Sequence, residues 1–376
     1  MLFAALKETA AHEKRIALTP DTAKKLIESG HQVIVESDAG KESGYINGMY
    51  EKVGCSVDKD KESILKKVDV LLTVNPFPEE DVAKLSKHSH IIGMLKPHQS
   101  HSLLKKLAKH KVTSFSLELT PRITRAQAMD VLSSQSNLAG YKAVIDGAYE
   151  FNRALPLMMT AAGTIPAARV LILGAGVAGL QAIATARRLG AIVSAYDVRA
   201  AAKEQVESLG ATFVSVEMKE SGEGAGGYAK EMSDTYKKAQ EDKLKEVLKS
   251  QDIVITTAQI PGKPAPVLIT EAMVKTMKTG SVIIDLASES GGNCALTEHG
   301  KTQVKHGVKI IGPANMASRI ATDASQLYAK NILSFLKNLM NKEGTSLDIN
   351  WQDEIVKATC LTHDGEIVHA NFKEKN

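Results

Sequence analysis

The sequence predicts an α/β chain built as two doubly wound parallel-sheet domains joined by long helices. Three observations carry the prediction. Short apolar runs alternate with amphipathic segments in two separate sets, the pattern of βαβ units and a parallel sheet. A long helical pattern stands on each side of the second set. The second set opens on an apolar run that passes directly into a glycine-rich turn and a helix. A chain of 376 residues is also long for one core, so two domains are expected.

In the first set the predicted strands are Phe3–Lys7, His31–Glu36, Asp69–Val74, His90–Leu95 and Thr113–Leu119. Helical patterns at Asp21–Glu28, Glu79–Leu85 and Ser102–Lys109 lie between them. Right-handed crossovers then make a doubly wound sheet the default. After Pro121–Thr124 a helical pattern runs from about Arg125 to Phe151. The second set follows: Val170–Leu173, Ile192–Tyr196, Thr212–Val216, Ile253–Ala258, Val282–Leu286 and Val308–Ile311. Another long helix is predicted over about Ser318–Asn341. The chain thus leaves a first domain through one helix and returns through the other. The expected division is residues 1–130 plus 321–376 for a discontinuous first domain, and 131–320 for the second. In the tail, Ile355–Thr362 and Glu366–Val368 read as strands around Asp364-Gly365, a hairpin signal. Residues 217–228 hold Gly222, Gly224, Gly226 and Gly227, and predict a mobile surface loop.

Composition excludes several classes. A formal charge of +4 with nearly balanced acids and bases argues against a dedicated nucleic-acid binder. Aromatic residues make up 4%, too few for base-stacking platforms. The three cysteines, Cys55, Cys294 and Cys360, are far apart and form no CxxC pair, which fits a reducing cytosol. The start, Met1 to Lys7, lacks the apolar core of a signal peptide. The most apolar stretch, about Leu155 to Ala186, is interrupted by Pro156, Gly163, Pro166 and Arg169 and does not read as a membrane span. Any membrane association is expected through a partner. His88, His90, His98 and His101 cluster in sequence, but solvated element ends explain them, and no metal site is expected.

Val170-Leu171-Ile172-Leu173 runs into Gly174-Ala175-Gly176-Val177-Ala178-Gly179, and an amphipathic helix pattern follows. This is the dinucleotide-binding fingerprint in its proper context, so the domains are expected to be Rossmann-like. Gly174 allows the tight turn, Gly176 lets backbone approach a pyrophosphate, and Gly179 allows close packing of helix on strand. The free N–H groups of the helix start hold the phosphates. Asp197, closing the run Ile192–Tyr196, stands where a carboxylate accepts the adenosine-ribose hydroxyls and repels a 2′-phosphate, which favours NAD over NADP. Arg199, two residues on, is of the type that meets a 2′-phosphate and pulls the other way.

Pro121 to Ser133 is dense in hydrogen-bonding side chains. Gln127, Asp130 and Ser133 have i, i+3, i+6 spacing, which on a helix brings them toward one small polar ligand. A capped helix start with a solvated face explains the same pattern.

The string PRITRAQAMDVLSSQSNLAGYKAV, Pro121 to Val144, resembles the first component of proton-translocating nicotinamide nucleotide transhydrogenases. So do Gly174–Gly179, Asp197-Val198-Arg199, Ala225–Lys230, Thr256–Pro266 and Ile16–Pro20, in order along nearly the whole chain. The resemblance implies an NAD(H)-binding component outside the membrane. It also implies a membrane-spanning partner that conducts protons and a further partner that binds NADP(H). Hydride passes directly between the two nicotinamides, and the chain is expected as a homodimer, cytoplasmic and peripheral on the inner membrane through its partners. By the same resemblance, Arg122, Asp130 and Ser133 fix the nicotinamide and its ribose, and Gln127 reaches toward the partner's nucleotide. Val177 lies beside the pyrophosphate, while Asp197, Val198 and Arg199 hold the adenosine ribose region. Gly227 and Tyr228 form the tip of a loop that closes over the nucleotide, and Gln240 and Gln259 are further contacts.

Two rival readings differ in chemistry. An alanine dehydrogenase is similar in organisation, and Arg15 would suit its substrate carboxylate. That family, however, uses a lysine where this chain has Asn75 and a histidine where it has Lys96. A non-catalytic NAD sensor would have no use for the polar side chains of the 122–133 loop.

Overall fold

The computed structural model describes residues 1–216, 222, 232–260 and 262–373. It forms two compact units, Met1–Gln135 with Ser318–Asn376, and Ser136–Ala317. The cuts lie at 135/136 and 317/318, where the sequence places them at 130/131 and 320/321.

The first unit opens with six strands: β1 (Leu2–Ala5), β2 (Gln32–Glu36), β3 (Ser56–Asp58), β4 (Val70–Leu72), β5 (His90–Gly93) and β6 (Thr113–Ser116). The second unit begins with a small antiparallel pair, β7 (Met158–Thr160) and β8 (Gly163–Ile165). Its main strands are β9 (Arg169–Leu173), β10 (Ile192–Tyr196), β11 (Thr212–Phe213), β12 (Ile253–Thr256), β13 (Val282–Asp285), β14 (Thr302–Lys305) and β15 (Val308–Ile311). The chain then returns to the first unit with β16 (Cys360–His363) and β17 (Glu366–Ile367).

The strand order of the first sheet is β17-β16-β6-β5-β4-β1-β2-β3, and that of the second is β11-β10-β9-β12-β13-β15-β14. Strands β1 to β6 are mutually parallel, as are β9 to β13 with β15. Both sheets therefore run outward from a central pair, β1/β4 and β9/β12, where the order reverses. In such sheets ligands bind beyond the strand ends at that reversal.

The two-residue period of a strand explains the layers. Phe3, Ala5, Val70, Leu72 and Ile92 face a core shared with Leu26, Tyr328 and Phe335. Ala4, Leu71 and Ile91 face the opposite core with Leu103, Leu104 and Leu107. The second sheet repeats the device. Val170, Ile172 and Ile255 pack with Ala182 and Ile183, while Leu171, Leu173 and Val254 pack with Leu244 and Leu248. Strands covered on both faces read as continuous apolar runs, which is why they stand out so well in the sequence.

Three expectations change. The helix predicted from Arg125 begins at Val131 and runs to Glu150, after a 3-10 segment at Thr124–Met129. Asp130 is extended, with φ −73° and ψ 91°, and its carboxylate accepts the N–H of Ser133 at 2.9 Å. It is the helix's N-cap, and a capping residue stands outside the helix it starts. The tail strand expected from Ile355 is first a helix, Glu354–Thr359, capped by Asp353 through the N–H of Ile355 at 2.7 Å. Ile355, Val356 and Thr359 are its buried face, a helical spacing that outweighs their strand preference. The hairpin follows as predicted, with Asp364 and Gly365 at φ 48° and 88° joining β16 to β17. Short β3, the pair β7/β8 and the edge strand β14 lie outside the predicted strands. Each is only three or four residues long and half-buried to exposed.

Candidate functional site

The glycine turn sits at the end of β9, at the order reversal of the second unit. Gly174 has φ +96°, a conformation side chains rarely tolerate. A Cβ there would meet Thr257 Oγ1 at 2.6 Å. That hydroxyl donates to the carbonyls of Gly174 at 2.9 Å and Leu173 at 3.3 Å, tying the turn to the exit of β12. The sequence reading does not single out Thr257, although Thr256-Thr257 directly after Ile253–Ile255 marks a strand end with a hydroxyl facing its neighbour. Around Gly176 a Cβ would meet nothing within 4 Å, so the turn is open on that side. Gly176 precedes the helix Val177–Arg188, whose first N–H groups lack a side-chain cap. Val177 is partly exposed at its start. A Cβ on Gly179 would collide with the carbonyl of Gly174, so helix and turn approach as closely as backbones allow. Gly174 and Gly179 thus each have a separate steric reason, while Gly176 leaves its side of the turn open.

Asp197 follows β10 and is 9% exposed. Its Oδ2 accepts the N–H of Ala175, inside the glycine turn, at 2.7 Å. Arg199 grips the same carboxylate: its Nε donates to Oδ1 at 2.9 Å, its Nη2 to Oδ2 at 2.8 Å, and its backbone N–H to Oδ1 at 2.8 Å. The opposing pulls expected of Asp197 and Arg199 are therefore joined in one ion pair, in which the arginine's fork is turned onto the acid. Val198, between them, accepts the N–H of Gly222 at 2.9 Å through its carbonyl. Gln259 is exposed, and its Nε2 donates to the Leu286 carbonyl at 3.2 Å. Gln240 is buried in the helix Asp234–Leu248. Gly174, Gly176, Gly179, Asp197 and Arg199 come together around the turn; Gly227 and Tyr228 lie outside the described residues.

The polar loop belongs to the first unit. Arg122 and Gln127 are exposed, whereas Asp130 and Ser133 are half-buried. Ser133 Oγ donates to Asp130 Oδ2 at 2.5 Å, beside the capping bond to Oδ1. The helical face expected for Gln127, Asp130 and Ser133 is broken at Asp130: its N–H donates to the Gln127 carbonyl at 3.3 Å, and its side chain bonds that of Ser133. The loop is fixed from behind. Arg125 forks onto Asp353 at 2.8 and 2.9 Å, and Asn331 Nδ2 donates to the Ala128 carbonyl at 2.8 Å. Its polar groups are presented on a held backbone.

The order reversal of the first unit carries a different set. A cleft of about 300 Å³ there is lined by Lys7, Glu8, Thr73, Asn75 and Phe77, among others. Glu8 accepts the N–H of Val74 at 2.6 Å and the Asn75 amide at 3.1 Å. Asn75 Nδ2 also donates to Glu13 at 3.0 Å, so one amide bridges two carboxylates. Arg15 gives Glu13 a fork at 2.6 and 2.8 Å and donates its Nη1 to Gln135 at 2.8 Å. Burial pushes the Glu8 carboxyl up to about 7, partly opposed by the Val74 N–H and the Asn75 amide. Burial also acts upward on Glu13, but its bonds and ion pair with Arg15 prevail and hold it at about 2.

These shifts set opposite stability windows. The folded state keeps a proton on Glu8 that the unfolded chain releases near pH 4.5, so stability falls as pH rises from there through 7. Glu13 contributes stability above pH 4.5 that is lost as pH falls toward 2. A shift of this size corresponds to roughly 3 kcal/mol. Glu8→Gln is expected to flatten the decline between pH 5 and 8 in urea unfolding. A slope identical to that of the parent chain would contradict the assignment.

Among the described residues no helix is long and apolar enough to cross a membrane, and no group of three His, Cys, Asp or Glu could hold a metal ion.

Two family models match the chain. "Alanine dehydrogenase/PNT, N-terminal domain" covers residues 4–139, and "Alanine dehydrogenase/PNT, C-terminal domain" covers residues 143–370. The chain is 53% identical to the first part of NAD(P) transhydrogenase subunit alpha of Rhodospirillum rubrum, over 98% of each chain. It is 41% identical to NAD(P) transhydrogenase subunit alpha of Haemophilus influenzae, covering 97% of this chain and 71% of that longer one. A solved structure of transhydrogenase from Sinorhizobium meliloti superposes with a TM-score of 0.86 at 46% identity, over 99% of this chain and 100% of that one. With both domains matched in order and this identity along its full length, the chain belongs to the family of NAD(P) transhydrogenase alpha subunits, matching their first part, and is a relative of the alanine dehydrogenases.

Proposed function

We propose that this chain is the NAD(H)-binding subunit of a proton-translocating transhydrogenase. The observation that carries the reading is the pairing of the glycine turn with Asp197, whose carboxylate is bonded to the turn's own Ala175 amide. A phosphate-receiving helix start and a ribose-receiving acid are thus held in one fixed element. Gly174, Gly176, Val177 and Gly179 would receive the pyrophosphate. Asp197, Val198 and Arg199 would take the adenosine ribose, and Gly227, Tyr228, Gln240 and Gln259 would complete the contacts.

The reaction proposed is transfer of a hydride from C4 of NADH to C4 of NADP⁺ held on a second component, giving NAD⁺ and NADPH. No proton donor or acceptor is needed, so the protein's task is positioning, with the two carbons brought to about 3–3.5 Å. Arg122, Asp130 and Ser133 would orient the nicotinamide and its ribose, and Gln127 would face the partner's nucleotide. The held backbone behind them suits that task, because a loose loop would lose the alignment. A membrane component would couple the transfer to proton movement, and the chain would act as a homodimer, peripheral to the membrane through its partners.

The first unit's polar cluster speaks against amino-acid oxidation. Arg15, the cation such a substrate would need, is forked onto Glu13 and bonded to Gln135. Position 75 is an asparagine serving two carboxylates. The deciding experiment is a titration of the isolated chain with NADH and NADPH. NADH is expected to bind at least about tenfold more tightly, about 1.4 kcal/mol. Equal affinities would overturn the assignment of Asp197.

A further inference from the structure

Beyond β12 the chain runs Thr257-Ala258-Gln259 and reaches its next bridge at Ile269. One side chain gathers this segment. Asn293 is fully buried. Its Oδ1 accepts the Ala258 N–H at 3.0 Å, and its Nδ2 donates to the carbonyls of Ala258 at 2.9 Å and Pro266 at 2.8 Å. Its own carbonyl accepts the N–H groups of Leu268 and Ile269 at 2.8 and 2.9 Å. A primary amide offers both an acceptor and donors, so one asparagine can clasp both backbone groups of Ala258. That fixes the two peptide groups flanking the Ala258 Cα together.

Asn293 is itself held. Asp285, at the end of β13, is fully buried. It accepts the N–H groups of Asn293 at 2.8 Å, Cys294 at 3.0 Å and Ala287 at 3.0 Å, and the hydroxyls of Thr256 at 2.8 Å and Thr297 at 2.7 Å. Five donors compensate the burial of this carboxyl group. On the other side, Thr257 reaches the Gly174 carbonyl. Hydrogen bonds thus run from Asp285 through Asn293 to the β12 exit and on to the glycine turn, across the reversal point of the sheet. The paired register of β12 ends at Thr256, so the Asn293 bonds to Ala258 lie beyond the sheet, at the crevice.

We propose that Asn293 is a positioning residue of the nucleotide crevice, fixing the β12 exit as the wall that supports the nicotinamide half of the dinucleotide. The proposal rests on the NAD(H) reading above. In this strand order a dinucleotide straddles the reversal. Its adenosine half belongs on the β10 side, with Asp197, and its other half on the β12 side. Loosening Ala258 weakens the second half and spares the first.

The test compares NADH and 5′-AMP binding by the intact chain, by fluorescence and calorimetry, in the parent, Asn293→Ala and Asn293→Asp. The aspartate variant has the same shape and keeps an acceptor for Ala258, but loses both donated bonds. Both variants are expected to bind NADH at least tenfold more weakly and 5′-AMP within twofold of the parent. A merely structural role lowers the melting temperature without moving the ratio of the two affinities. An unchanged ratio in a folded variant overturns the proposal, and the aspartate variant decides alone if the alanine variant does not fold. A parent chain that fails to bind NADH overturns the NAD(H) reading instead.

Discussion

Asp130→Ala is expected to slow hydride transfer by about a hundredfold, the usual cost of a misplaced reacting group. Affinity for ADP-ribose should stay within about twofold. The expectation follows from what Asp130 holds. Its two oxygens take the Ser133 N–H and hydroxyl, so its loss frees Ser133 and uncaps the helix Val131–Glu150 at once. Loss of a cap costs about 1 kcal/mol of stability, too little to unfold a domain of this size. Asp130→Asn separates the two effects, because an amide oxygen still caps the helix. If the carboxylate matters for the nicotinamide, the asparagine variant stays slow while its thermal stability recovers. Stopped-flow transfer assays with an NADP(H)-binding partner measure the first, and calorimetry the second. Parallel loss of ADP-ribose affinity would make the loop structural instead.

Asp197→Asn carries the other large effect. Hydrogen bonds to a charged group contribute about 1.5–3 kcal/mol, so NADH affinity should fall roughly ten- to a hundredfold. NADPH affinity should rise, for a reason visible in the ion pair. Arg199 commits its Nε and Nη2 to Asp197. Neutralising the acid removes its repulsion of a 2′-phosphate and loosens the guanidinium, which forks well onto phosphate. The double variant Asp197→Asn, Arg199→Ala should lose the NADPH gain. A gain that survives in the double variant would show that Arg199 plays no part in selectivity.

The strand alternation and the glycine turn are legible in the sequence because both follow from local rules. Most strands covered on both faces are apolar, and Gly174 and Gly179 each answer a separate backbone need. The start of the long helix is not legible, because Thr124–Met129 has helical composition, whereas the cap bond of Asp130 to Ser133 decides where the helix begins. Ile355 misleads for the converse reason: β-branched residues follow a capping aspartate whose role depends on three-dimensional context. The roles of Thr257 and Asn293 are hard to assign because the backbone groups they hold lie far off in sequence, and that of Asp285 because its donors converge only once the turn after β13 has folded. Asn293 reaches Ala258 across 35 positions, and Thr257 reaches Gly174 across 83. The Arg199 grip on Asp197 spans only two residues, but sequence gives no side-chain direction. Resemblance, rather than spacing, singles out Arg122 and Gln127, since exposed polar side chains look alike whether or not they meet a ligand.

The central claim is that this chain holds one of two nucleotides and needs a partner for the other. The most direct measurement is the rate of NADH-dependent reduction of NADP⁺, or of its thio-analogue, by the purified chain alone and after addition of the NADP(H)-binding component. NADH binding without turnover is expected for the chain alone, and fast transfer in the mixture even before any membrane component is supplied. Robust NADP⁺ reduction by the chain alone, or NAD-dependent deamination of alanine, would contradict the claim.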